Sequence, residues 1–240
     1  MKSKIPILDL GDFLAGKAGA LEAVAAELQY AAENVGFFFI RNHGVPQDLV
    51  NATFDASGRF HDLPDKEKMA LKANEHNVGY MGPGSSVSRA SQVYEGERKA
   101  NLVAAFFLKR DLPPDHSDIV ENKPFRGANQ WPANLDGFRE TTVAYMDAME
   151  ALAKSMLPIY AAALDLPSDF FAKAFEEPQY TLRLSHYPPA EAEDNQFGLA
   201  PHTDSSFLTL LAQNEVEGLQ VRPDDGTWIN APVLPNTFLV

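Results

Sequence analysis

The stretch Gly198-Leu199-Ala200-Pro201-His202-Thr203-Asp204-Ser205-Ser206 sets a histidine and an aspartate two positions apart, just ahead of the apolar run Phe207 to Leu211. On a strand, or at its start, a period of two puts both side chains on one face. One imidazole nitrogen and one carboxylate oxygen then converge on a point. These are two members of the 2-His-1-carboxylate set that grips non-haem iron(II) on one face and leaves the other face open. The same pair fits a plainer reading, a polar turn before a core strand with Asp204 capping the turn and His202 bonded to backbone.

A second group lies upstream. Thr181-Leu182-Arg183-Leu184-Ser185-His186-Tyr187 alternates, so Arg183, Ser185 and Tyr187 share one face and Leu182 and Leu184 the other. A guanidinium, a hydroxyl and a phenol are donors suited to a carboxylate or another polar ligand. On an exposed sheet that face is ordinary surface; inside a barrel beside His202 and Asp204 it builds a pocket. Phe106, Phe107 and the Gly-rich loop around Tyr80 are candidates for the pocket wall, and the rest of that loop, from Asn74 to Arg89, reads equally as surface.

Other chemistries are excluded. The chain has no Cys, which rules out disulfides, thiolate nucleophiles and Cys-ligated metals. Gly79-Tyr80-Met81-Gly82-Pro83-Gly84 lacks the strand and helix that flank a dinucleotide fingerprint, and no phosphate loop or zinc spacing occurs. His186 alternates away from the polar face; His43 reads as a turn residue, and His61, His76 and His116 as surface or loop residues. With 20 basic and 33 acidic residues the net charge is −13, a poor match for nucleic acid or an anionic membrane. No run of about 18 apolar residues suggests a membrane span, and Met1 to Lys4 opens no signal peptide.

The 240 residues suffice for one large domain or a core with a helical extension. The first part reads as helices around two strands. Ile5 to Leu8 is an edge strand, Leu21 to Ala31 a helix stopped by Gly36, and Phe37 to Ile40 a buried strand. Helices then follow from Pro46 to Leu63 and from Asp65 to Ala73. A long amphipathic helix starts near Leu135, with Pro158 expected to kink or end it, and Leu166 to Phe175 is a short helix. After Pro178 short strands are expected at Thr181–Tyr187, Ser206–Leu211, Leu219–Arg222, Thr227–Ile229 and Thr237–Val240. Helices first and strands later read as α+β with a sandwich or barrel of antiparallel strands.

Several segments together resemble the iron(II)/2-oxoglutarate-dependent dioxygenases of the isopenicillin N synthase-like family. They are Ile5 to Leu10, Gly36-Phe37-Phe38-Phe39-Ile40-Arg41-Asn42-His43-Gly44-Val45-Pro46, Phe60-His61-Asp62-Leu63-Pro64 with Glu67-Lys68, Arg183 to Pro189, Gly198 to Leu211, and Asp225 to Pro232. The resemblance implies a double-stranded β-helix (jelly-roll) core with an N-terminal helical region. Residues 1–125 would be the N-terminal non-haem dioxygenase region, 126–178 helical support, and 179–240 the iron/2-oxoglutarate core. It implies His202 and Asp204 as iron ligands, with a third, a histidine, expected beyond Val240 together with the arginine and serine that clamp 2-oxoglutarate. Tyr187 and Ser185 are implied on the co-substrate, Ser185 standing where an asparagine is common, and Arg183, Thr203, Tyr80 and Phe107 on the substrate side.

The activity implied is oxidation of a small molecule by hydroxylation, desaturation or cyclisation, with Fe(II), 2-oxoglutarate and dioxygen, release of succinate and carbon dioxide, and ascorbate as an optional reductant. No nucleic acid, no membrane, a monomer and a cytoplasmic setting complete the expectation. The alternatives are an iron oxidase of the same fold that does not use 2-oxoglutarate, a non-catalytic small-molecule binding protein, and a zinc hydrolase built on His202 and Asp204.

Overall fold

A computed structural model of the chain describes residues 5–87, 99–191, 193–204, 206–223 and 225–240. Met1 to Lys4, the Ser88-Arg89 end of the Gly-rich loop, and Ser205 therefore lie outside the described residues. In chain order the elements are β1 (Ile7–Asp9), α1 (Gly11–Leu14), α2 (Ala20–Asn34), β2 (Phe39–Arg41), α3 (Gln47–His61), α4 (Asp65–Ala70), β3 (Gly79–Met81) and β4 (Ala104–Lys109). They continue with α5 (Ser117–Val120), α6 (Phe138–Ala163), a 3-10 turn (Lys173–Phe175), β5 (Thr181–His186), β6 (Gln220–Val221), β7 (Ile229–Asn230) and β8 (Thr237–Leu239). The fold class is α+β, and among the described residues no helix is long and apolar enough to cross a membrane.

The chain separates into two compact units, each discontinuous in sequence. The first comprises residues 1–50, 147–178 and 206–240. Its sheet runs β1-β2-β8. Phe39, Ile40 and Arg41 pair in parallel with Ile7, Leu8 and Asp9, and antiparallel with Leu239, Phe238 and Thr237. The β1–β2 pair is parallel because α1 and α2 form the crossover that parallel strands require. Val24, Ala25, Leu28 and Ala31 are the buried stripe of α2, at the helical spacing read from the sequence. Ile5, Phe39, Val221, Ala231 and Leu239 make one apolar cluster in this unit.

Three expectations change in the first unit. The short helix expected from Leu166 to Phe175 is reduced to the 3-10 turn Lys173–Phe175. Pro158 does not end the helix, since α6 runs on to Ala163. Met156, Leu157 and Ile159 around it are all buried, and packing on both sides of the proline outweighs its missing backbone bond. The run Ser206 to Leu211 forms no strand beyond a single bridge, Leu211 to Leu239. Phe207 instead sits among the rings of Tyr160, Phe171 and Phe175 at 4.9–5.2 Å, so aromatic packing rather than a ladder holds this stretch.

The second unit comprises residues 51–146 and 179–205 and carries every candidate site residue. Its sheet runs β3-β4-β5, antiparallel throughout. All six residues of β4 are buried, so the strand shows no polar alternation. One face of the sheet, through Tyr80, Ala104, Phe106, Leu108 and Leu184, packs on Ala56 and Phe60 of α3 and on Phe138 and Met146 of α6. Leu182 packs at the edge of this cluster. The alternation of β5 therefore places Arg183 and Ser185 on the opposite face, opposite Phe107 and Ala105 of β4.

Candidate metal centre and adjoining sheet face

His202 and Asp204 do converge. Nε2 of His202 lies 3.3 Å from Oδ1 of Asp204, and both side chains are about half exposed. The other ring nitrogen, Nδ1, lies 3.0 Å from the Ala200 carbonyl oxygen. A carbonyl and a carboxylate both only accept, so a ring protonated on both nitrogens satisfies the two, and a metal standing in place of the Nε2 proton would take the Nε2 lone pair. This is the arrangement in which a metal-binding histidine is held by backbone while its far nitrogen ligates. Two ligand atoms about 2.1 Å from one ion and at right angles lie about 3.0 Å apart, close to the separation found here. Nitrogen and carboxylate oxygen are also the donor set that suits ferrous iron.

Without a metal the hydrogen bond to Asp204 holds the His202 imidazole above its ordinary pKa, against partial burial and the opposing charge of Arg183. That opposition places Arg183 within electrostatic reach of the pair. The described residues supply no third His, Cys, Asp or Glu to the pair.

The loop that bears the pair is docked on the strand lead-in. Leu102 and Val103 donate their N–H groups to the carbonyls of Phe197 (3.0 Å) and Gly198 (2.9 Å), and Ala200 N–H donates to the Asn101 side-chain oxygen at 2.9 Å. Asn101 is 3% exposed. Nothing in the residue pattern singled it out, because its role is a hydrogen bond to a residue 99 positions away.

The remaining candidates divide. The Arg183 guanidinium lies over the Phe107 ring, 5.6 Å from its centroid. Its Nε is buried and has no hydrogen-bond partner among the described residues. Stacking on an aromatic face fixes such a group and leaves its donors available. Ser185 is exposed on the same face as Arg183, and Thr203 is exposed between His202 and Asp204. The Tyr187 ring lies against Gly198, where a Cβ would stand 2.8 Å from Cδ1, so only glycine leaves room for the ring in this position.

Tyr80 is a correction. It is 5% exposed and packs in the core with Phe60, 5.9 Å between ring centroids. Pairing with Phe106 puts it on the core face of the sheet, opposite the face that carries Phe107 and Arg183. Phe106 is fully buried in the same core and is likewise not a wall residue.

The other histidines also differ from expectation in part. His43 does brace its turn, accepting from Val45 N–H at 3.2 Å. His61 and His76 are buried rather than surface residues, at 6% and 8% exposure. His76 pairs with the Asn122 side chain at 2.9 Å, and His116 caps α5 by accepting from Asp118 N–H at 3.2 Å.

Comparison with known proteins agrees with this geometry. Residues 5–134 match the family described as the N-terminal region of non-haem dioxygenase in morphine synthesis. Residues 178–240 match the 2OG-Fe(II) oxygenase superfamily. The chain is 33% identical to the 2-oxoglutarate-Fe(II) type oxidoreductase hxnY of Emericella nidulans, over 98% of its own length and 68% of that protein's. It is 31% identical to clavatol oxidase claD of Penicillium crustosum, over 98% of the chain and 74% of the relative. Among solved structures, a full-length Neurospora crassa protein in complex with alpha-KG and thymine superposes with a TM-score of 0.82 at 25% identity, over 98% of this chain and 72% of that one.

The chain belongs to the iron(II)- and 2-oxoglutarate-dependent oxygenases, within the isopenicillin N synthase-like family. It is an oxidoreductase whose metal is Fe(II) and whose co-substrate is 2-oxoglutarate, and it couples substrate oxidation to release of succinate and carbon dioxide.

Proposed function

We propose that this enzyme oxidises a small organic molecule at an iron centre to which His202 and Asp204 contribute Nε2 and a carboxylate oxygen. The observation that carries the assignment is the 3.3 Å approach of those two atoms while Nδ1 is occupied by the Ala200 carbonyl. A complete facial triad needs a further histidine, which the described residues do not supply. In this reading the strands after Pro178 belong to a jelly-roll core. The assembly proposed is a monomer.

Bound iron and 2-oxoglutarate supply the oxidising chemistry, and the chain supplies ligation, orientation and exclusion of water. Tyr187 and Ser185 offer hydroxyl donors to the carboxylates of 2-oxoglutarate. Arg183, with a buried unpaired Nε and a face steadied by Phe107, offers donors to the substrate. Phe107 supplies apolar contact, and Thr203, between the two ligands, offers a hydroxyl. A related structure that accommodates thymine supports a substrate of that size, and the net charge of −13 argues against nucleic acid. Hydroxylation, desaturation and ring closure all remain within the reach of such a centre.

Replacement of either ligand tests the assignment. Loss of a hydrogen-bond partner behind a metal ligand already costs about 10–100-fold in metal affinity or activity. His202→Ala and Asp204→Ala should each lower iron-dependent succinate formation by at least about a hundredfold. Wild-type succinate formation in either variant would remove that residue from the centre.

Gly198→Ala tests the Tyr187 role separately. The new methyl would meet the Tyr187 ring at 2.8–3.1 Å. The half-exposed ring can swing away, so stability should change by less than about 1 kcal/mol. The KM for 2-oxoglutarate should rise about tenfold, as expected when a positioning group is displaced by part of an ångström. An unchanged KM would detach Tyr187 from the co-substrate.

A further inference from the structure

Asn101 lies outside the two segments that bear the candidate ligands and the polar strand face. It sits just ahead of β4 and is 3% exposed. Its backbone is fixed on both sides: its N–H donates to the Ser86 carbonyl, and its carbonyl accepts from Gly84 N–H, both at 2.8 Å. Its side chain is oriented by chemistry at both ends. Oδ1 accepts from Ala200 N–H at 2.9 Å, and Nδ2 donates to Ser86 Oγ at 3.1 Å. An amide flip would set a donor against a donor at Ala200, so the orientation is determined.

Ala200 is the residue whose carbonyl accepts from His202 Nδ1 at 3.0 Å. It is buried, at 9% exposure, and Pro201 behind it restricts its backbone to extended conformations. The hydrogen-bonded line thus runs from Ser86 through the Asn101 amide to Ala200, and from Ala200 to the imidazole. Every member belongs to the second unit.

We propose that Asn101 is the positioning residue for His202: by holding Ala200 it fixes the carbonyl to which Nδ1 is bonded and so aims Nε2 at Asp204. The proposal rests on the reading of His202 as a metal ligand, and it makes a claim about the metal-free loop that can be measured apart from that reading. The amide touches neither metal nor substrate. Its effect is on the orientation of the ring that does.

The test uses two variants, Asn101→Leu, close in shape but without polar atoms, and Asn101→Ser, too short to reach Ala200. Asn101→Asp is the conservative rescue. A carboxylate still accepts from Ala200 N–H, and the Ser86 hydroxyl can turn to donate to it. Two readouts are taken. The first is the amide-proton NMR shift and exchange rate of Ala200 in metal-free protein, which report the hydrogen bond to Asn101. The second is Mn(II) binding, with His202→Ala as reference.

Wild type should show a hydrogen-bonded, slowly exchanging Ala200 amide. Asn101→Leu and Asn101→Ser should lose that protection and show a Mn(II) affinity lower by about 10–100-fold, and Asn101→Asp should recover most of both. Either of the first two variants retaining the wild-type fold and wild-type Mn(II) affinity would overturn the proposal. Equal Mn(II) binding by wild type and His202→Ala would instead overturn the ligand reading, and leaves the Ala200 amide to decide on Asn101 alone.

Discussion

Phe60→Ala is expected to destabilise the protein by about 3–5 kcal/mol, the range for removing a fully buried aromatic ring. Phe60 is 0% exposed and sits at the centre of the second unit's core. Its ring centroid lies 4.2 Å from Phe106, 5.6 Å from Phe138 and 5.9 Å from Tyr80. Those three come from β4, α6 and β3, so one ring joins α3 to a second helix and two strands. Truncation leaves a cavity among these rings, and the loss is a large part of the 5–15 kcal/mol that stabilises a typical domain.

The consequence for the site is direct. Phe60 packs on one face of the sheet whose other face presents Arg183 and Ser185. A loosened core moves the platform that both residues stand on. The measurement is urea unfolding of wild type, Phe60→Leu and Phe60→Ala, with Phe60→Leu expected to lose about 1–1.5 kcal/mol as a milder change. A loss below about 1 kcal/mol for Phe60→Ala would mean that the ring is not at the centre of this core.

What could be read from the sequence follows from the range of the interactions involved. The alternation of Thr181 to Tyr187 is local, so the face bearing Arg183 and Ser185 was legible; His202 and Asp204 also come together, but on a loop rather than on the strand whose period suggested it. The stripe of α2 was legible for the same reason. Strand β4 was not. Its six residues, AAFFLK, are buried on both faces, and even Lys109 is 5% exposed with Nζ on the Thr181 hydroxyl at 2.6 Å. A strand buried on both sides shows no period of two. Strand β3 is three residues long and begins at Gly79, with φ +114°, which composition alone reads as loop.

Tyr80 shows the cost of that omission. Placed in a loop, it is a candidate for a pocket wall; placed in β3, its side follows from its register with Phe106, and it belongs to the core. Its neighbour in space, Phe107, is one residue along β4 and falls on the other face, over Arg183. Asn101 could not be found from pattern at all. Asparagine before an apolar run is common, and only the fold brings it to Ala200.

His61 carries the second large effect, and it is a dependence of stability on pH. The ring nitrogen Nε2 lies 3.2 Å from the Leu184 carbonyl, to which it donates, and the ring stacks on His186 at 4.9 Å with planes 18° apart. Burial pushes the His61 imidazole down to about 4. The Leu184 bond and Asp62 oppose that shift, and the neighbouring His186 and Lys68 add to it.

An unfolded histidine takes its proton near pH 6.5, the folded one near 4. Between those values the unfolded chain binds more protons, so stability rises with pH there. The contribution is complete above about pH 6.5 and is lost as the pH falls toward 4. A shift of about 2.5 units at 1.36 kcal/mol each makes the full loss about 3 kcal/mol. Carboxylates titrate in the lower part of the same window, so the comparison that isolates His61 is the difference between wild type and His61→Gln, which cannot titrate. Urea midpoints of wild type should fall more steeply than those of His61→Gln between about pH 6.5 and 4, with the curves converging toward the acid end. Parallel curves would mean that His61 is not buried as a neutral ring against Leu184. Since that bond is made at the residue between Arg183 and Ser185, the same curves report on how firmly the strand under the site is held.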